Sequence, residues 1–161
     1  MSLYSRRSLL ALPLALAACG FTPVYGVDGT GTKLRGQVLV QEPKTQAGYL
    51  ITRHLETQLG RSSSDARYGL DLVISLDDDE LAIDDNGDTE RFDIIGIVEY
   101  SLRDNTTGAV VTSGQVENFT GFSTTGTTVS TLASERDAVE RLMVILGDQI
   151  VTKLFATDLP A

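Results

Sequence analysis

The chain has no tryptophan, one histidine, one cysteine and four prolines in 161 residues. A single cysteine permits no internal disulfide, so the fold must be stable through packing alone. The scarcity reaches chemistry as well. There is no nucleophile paired with a base, no set of metal ligands at close spacing, no phosphate-cradling glycine loop and no Gly-x-Ser-x-Gly elbow. His54 stands alone on a predicted helix, without partners that would make it a base or a ligand, and reads as a surface or boundary residue. Positive charge is short too. Thirteen Lys and Arg face 22 Asp and Glu, a formal charge of −9, which disfavours nucleic acid because phosphate contacts need cations in excess. The one long apolar run, Ser8 to Ala18, falls far short of the roughly 20 residues that a spanning helix needs. No internal repeat or low-complexity segment is present. These absences read as a binding or assembly protein with no cofactor and no metal, and not as an enzyme.

What is present begins at that apolar run. Arg6-Arg7 precede it and Leu16-Ala17-Ala18-Cys19 close it, the charged, apolar, small-residue order of an export signal. Leu-Ala-Ala-Cys resembles the lipobox of bacterial lipoproteins. The resemblance implies cleavage between Ala18 and Cys19 and acylation of the Cys19 thiol. Residues 1–18 are then a signal peptide, and removing them from 161 leaves 143 residues, enough for one modest domain. Losing Arg6 and Arg7 moves the formal charge from −9 to −11. The remainder is anchored to the bilayer through Cys19 and does not span it. Ser5-Arg6-Arg7-Ser8-Leu9-Leu10 loosely resembles a twin-arginine signal; the export route stays open.

Residues 19–35 read as a lipidated tether: Gly20, Phe21, Pro23, Tyr25 and Gly26, then a Gly/Thr/Asp-rich linker from Val27 to Thr32. Residues 36–157 read as one α+β domain. Gly36 to Gln41 is a short β-branched strand stopped by Pro43. From Thr45 to Leu59 the spacing of Ala47, Ile51, Leu55 and Leu59 predicts a helix ended by Gly60. Leu70, Leu72, Ile74 and Leu76 alternate with polar neighbours as a half-buried strand from Tyr68. A second strand covers Phe92 to Arg103, and a third covers Ala109 to Phe122 after a turn at Arg103 to Gly108. A closing helix, capped by Ser130 or Thr131 and running to about Ala156, carries Val139, Leu142, Met143, Leu146, Ile150 and Leu154 as an apolar stripe. The expected architecture is β-α-β-β-β-α: a four-stranded, mostly antiparallel sheet with two helices on one face.

The acidic stretch from Asp77 to Asp88 fails as a calcium loop. Setting Gly87 sixth puts Ala82 first and Asp93 twelfth, and strands flank it. Asn86-Gly87 reads instead as a hairpin turn.

Cys19-Gly20-Phe21, followed by Pro23-Val24-Tyr25-Gly26, resembles the mature start of the lipopolysaccharide-assembly lipoproteins of the LptE family. The element order also resembles that family, and the closing helix Gly147 to Leu154 is similar to that of its alphaproteobacterial members. The resemblance implies an outer-membrane lipoprotein, consistent with Gly20 in place of an inner-membrane-retaining Asp. It further implies a plug in the β-barrel of the translocon protein LptD and contact with lipopolysaccharide. A negative domain would repel the phosphates of that lipid unless Arg91, Arg103, Arg136, Arg141 and Lys153 were grouped or divalent cations intervened. The turn formed by Arg103, Asp104, Asn105 and Thr106 is the candidate contact with lipid or barrel. The alternative is an auxiliary lipoprotein of another envelope transport or stress system; a lipid-anchored hydrolase would need a pocket the residues do not suggest.

Overall fold

The structure, a computed structural model, describes residues 24–26, 29–83, 89–124 and 127–159. Cys19, Gly20, Phe21, Pro23 and the Asn86-Gly87 turn lie outside them. Seven elements follow in order: α1 Thr30–Leu34, β1 Val38–Val40, α2 Gln46–Leu59, β2 Tyr68–Ile83, β3 Thr89–Asp104, β4 Val110–Ser123 and α3 Thr128–Phe155.

The strands form one sheet in the order β1-β2-β3-β4. β2, β3 and β4 are an antiparallel meander, whereas β1 runs parallel to β2, with Val38 opposite Tyr68. That parallel pair follows from the helix inserted between β1 and β2, since a crossover returns the chain in the same direction. The sheet is therefore mixed, and antiparallel in all but its shortest strand.

Alternation along the strands separates two faces. Leu70, Ile94, Val98, Leu102 and Val116 are buried on one of them, under both long helices. On α2 the buried positions are Ala47, Gly48, Ile51, Leu55 and Leu59, the four-residue spacing of the sequence plus one glycine. On α3 they include Leu142, Met143, Leu146, Ile150 and Leu154, all fully buried. α3 lies over β3 and β4, and α2 packs beside α3. Gly96 of β3 lets α3 sit down directly: a Cβ there would come within 2.9 Å of Leu142 Cδ2 and of Leu146 Cδ1. His54 is a boundary residue but does not stand alone: its Nε2 is 2.7 Å from Asp148 Oδ1 across the helix pair.

Three local expectations change. The Thr45 hydroxyl caps α2 by accepting from the Gly48 amide, so the helix begins one residue later than the hydrophobic spacing suggests. For α3 the capping hydroxyl is Thr127, accepting from Ser130 N–H, so Ser130 and Thr131 are helical and not caps. The stretch read as a tether contains α1, whose Leu34 is fully buried. Behind it, Gly31 N–H donates to Val24 O at 3.0 Å. Tyr25 meets Phe155 edge-on at 5.5 Å between ring centres. Val24 to Gly26 are thus packed against the end of α3, and the folded unit reaches further toward the N-terminus than residue 36.

Candidate functional site

Element lengths create the most distinctive concavity. α2 starts at Gln46, near the level of Ile74, while β2 continues to Ile83. The inner face of β2 is therefore covered at Tyr68 and Leu70, half-buried at Leu72 and Ile74, and 37% exposed at Leu76. Between this strand, the first turn of α2 and the first half of α3 lies an open groove of about 550 Å³. Ala47, Ile74, Leu76, Leu132 and Val139 give it an apolar lining, and Glu135 and Arg136 stand at its margin. Leu132 and Val129, on the same end of α3, are 47% and 77% exposed. The groove can accept a hydrocarbon chain, with a guanidinium beside it for an anionic group. Sequence reasoning did not reach it, because it depends on the offset between α2 and β2. The continued alternation of β2 past the level where α2 begins was the available signal.

The predicted contact turn is organised by its own first residue. Asp104 is buried; its Oδ1 accepts from Thr106 N–H at 2.8 Å and Thr107 N–H at 3.2 Å. Its Oδ2 accepts from Arg67 Nε at 3.3 Å. Gly108, at φ +73°, closes the turn through a bond from its N–H to Asp104 O, a conformation glycine adopts without strain. Asn105 donates from its side chain to Ala66 O at 2.9 Å, and Arg103 pairs with Asp71 at 3.1 Å. Asp104 and Asn105 thus hold the loop onto the strand entry, while Thr106 and Arg103 face solvent. The Thr106 amide foremost, then Thr107 and Arg67, hold the Asp104 carboxyl below its ordinary value of 3.8 against the opposing effect of burial. A lowered native pKa stabilises the fold above the unfolded value and loses that contribution as pH falls through the native one. Asp104→Asn is therefore expected to melt lower than the native chain at pH 7. The gap should narrow below about pH 3.8, and thermal denaturation across pH 2–7 measures it. A gap that stays constant over that range would refute the assignment.

The five basic candidates do not form one patch. Arg91 and Arg141 both lie near Gly121 but on different sides of the sheet, Arg91 on the face without helices and Arg141 on the helix layer. Arg141 Nη2 donates to Gly121 O at 3.2 Å, and a Cβ on Gly121 would lie 3.2 Å from Arg91 Nη2. Arg141 is also paired with Asp137 one turn away. Arg136 is at the groove, Arg103 is at the opposite end of the sheet, and Lys153 is in the last turn of α3. Among the described residues no group of three or more His, Cys, Asp or Glu is arranged to hold a metal ion. No described helix is long and apolar enough to cross a membrane.

The sequence model of the LptE family, described as lipopolysaccharide-assembly, matches residues 36–154. No curated protein matches significantly in sequence. Among solved structures, a protein described as a lipoprotein from Caulobacter crescentus CB15 is 21% identical, with a TM-score of 0.65 over 79% of this chain and 93% of that one. The rare lipoprotein B from Shewanella oneidensis is 14% identical, with a TM-score of 0.55 over 74% of this chain and 92% of its own. A minor lipoprotein from Acinetobacter baumannii is 13% identical, with a TM-score of 0.56 over 76% and 94%. At these identities the likeness is one of fold.

Proposed function

The chain belongs to the LptE family of lipopolysaccharide-assembly proteins, and on that premise we propose that it is an outer-membrane lipoprotein acylated on Cys19 that seats in the LptD β-barrel and supports delivery of lipopolysaccharide to the outer leaflet. The observation that carries this reading is the extent of the family match, which takes in all four strands, α2 and nearly all of α3. The role is one of assembly and binding, without catalysis. A rigid two-layer domain suits a plug, and the polar interior of a barrel tolerates a charged surface. Of the described surface, the groove at Ile74, Leu76, Leu132 and Val139 suits an acyl chain of the lipid best. The exposed tip of the turn at Thr106, with Arg103 beside it, is the second candidate contact.

The test is recovery of the tagged protein from detergent-extracted native membranes, comparing the native chain with Cys19→Ala. The native chain should bring down LptD in stoichiometric amount. Cys19→Ala should still bring it down, because the folded domain and not the lipid makes the contact. If the acylated chain recovers no barrel, the auxiliary-lipoprotein reading replaces this one.

A further inference from the structure

Both long helices lie on one face of the sheet, and among the described residues nothing packs on the other. Directly opposed residues of an antiparallel sheet share a face, so the register gives the composition of the bare side row by row. Val73, Glu99 and Gln115 make one row; Ser75, Ile97 and Glu117 the next; Asp77, Ile95 and Phe119 the third; Asp79, Asp93 and Gly121 the fourth. An apolar strip therefore crosses the sheet, formed by Val73, Ile97, Ile95 and Phe119. Phe119 is 60% exposed and Val73 63%. Carboxylates surround it, and the concavity beside Phe119 and Ile95 is bordered by Asp79, Asp93 and Glu117. Isolated exposed hydrophobes are ordinary, but a contiguous strip inside a polar rim marks an interaction surface.

We propose that this bare sheet face is the surface on which the protein partner seats, and that the partner presents Lys or Arg side chains around apolar ones. The inference rests on the reading that the domain docks in a barrel, and it adds which surface carries that contact. Two observations favour a protein with basic groups as the occupant. The rim is almost wholly acidic, and of its two arginines Arg103 is committed to Asp71 while Arg91 lies beside Asp93 over Gly121. An anionic lipid headgroup would be repelled there, whereas a cationic side chain can lay its stem along Ile95 and Phe119 and its charge among the carboxylates. The size is also suitable. Three strands about 4.8 Å apart and about 40 Å long present roughly 600 Å², near the 800 Å² or so that each partner contributes to a standard interface. Tyr49 and Val144, exposed on the helix layer away from the groove at Leu76 and Leu132, serve as the comparison.

The experiment uses the acylated full chain in native membranes and reads LptD recovered per molecule of chain. Phe119→Asp is expected to lower recovery at least tenfold, and Glu117→Lys severalfold. Tyr49→Asp and Val144→Asp, on the helix layer, should change it less than twofold. Equal losses from both layers, or larger ones from the helices, overturn the inference while leaving the barrel partnership standing. Failure of the native chain to recover LptD overturns the partnership and the inference with it. Recovery of a second copy of the chain through Phe119 in place of the barrel also overturns it. Should Phe119→Asp lower the melting temperature, a photoreactive phenylalanine analogue at Phe119 decides instead. Its adduct with LptD supports the inference, and its absence overturns it.

Discussion

Leu142→Ala is expected to destabilise the domain by about 3–5 kcal/mol, toward the upper end of what buried leucine truncations cost. The reason lies beneath the side chain. Leu142 is fully buried and sits over Gly96, which has nothing to move into the space left behind. Cost rises with the cavity that remains after relaxation, and a glycine floor allows little relaxation. The same geometry predicts coupling. Gly96→Ala alone should be unfavourable, because its Cβ would meet Leu142 Cδ2 and Leu146 Cδ1 at 2.9 Å each. Combined with Leu142→Ala it removes one of those contacts and fills part of the void. The double variant should therefore be more stable than the sum of the single changes implies, by about 1 kcal/mol or more. Denaturant melts of the four chains measure this, and additivity within experimental scatter would refute the direct seating of α3 on β3.

Cys19→Ser is expected to release the chain from the membrane when it is made in a host without the cognate barrel. Each buried methylene contributes about 0.8 kcal/mol of membrane affinity, and two acyl chains together make attachment durable. Serine offers no thiol for the diacylglycerol, so this whole contribution disappears while the folded unit is untouched. Fractionation should find the native chain with the membranes and at least tenfold less of the variant there. The mass of the N-terminal peptide supplies the independent readout. An unmodified Cys19 in the native chain, or a variant that stays membrane-bound through a carbonate wash, would overturn the lipobox reading.

The helices were legible because their stripes are long. Ala47 to Leu59 and Leu142 to Leu154 repeat at helical spacing over enough turns that tertiary structure had little to decide. α3's cap was less so, since Thr127, Thr128, Ser130 and Thr131 all carry a capping hydroxyl. α1 was not legible. A five-residue segment containing Gly31 has weak helical preference, and it is Leu34's burial and the contact with Val24 that hold it. The polar composition from Arg103 to Gly108 gave the turn but not the role of Asp104, because composition cannot distinguish a carboxylate that faces water from one that accepts its own loop's amides. The bare sheet face did leave a trace. Ile94, Ile95, Ile97 and Val98 place apolar residues on both sides of β3, more than a sheet covered on one side can bury.

The packing of Tyr25 on Phe155 turns the tether into a short leash. On the proposed acylation of Cys19, five residue steps separate the lipid from Val24, a reach of at most about 17 Å. β2 and β3, of 16 residues each, make the domain about 50 Å long. A body three times longer than its leash cannot tumble freely above the bilayer. It pivots about the end that holds α1, the last turn of α3 and the Asp104 turn. The opposite end, where the groove opens between α2 and α3, stays about 50 Å from that pivot as it swings. A partner in the same membrane would meet that end repeatedly in a narrow range of orientations. The local search would then be closer to a hinge swinging shut than to diffusion in three dimensions.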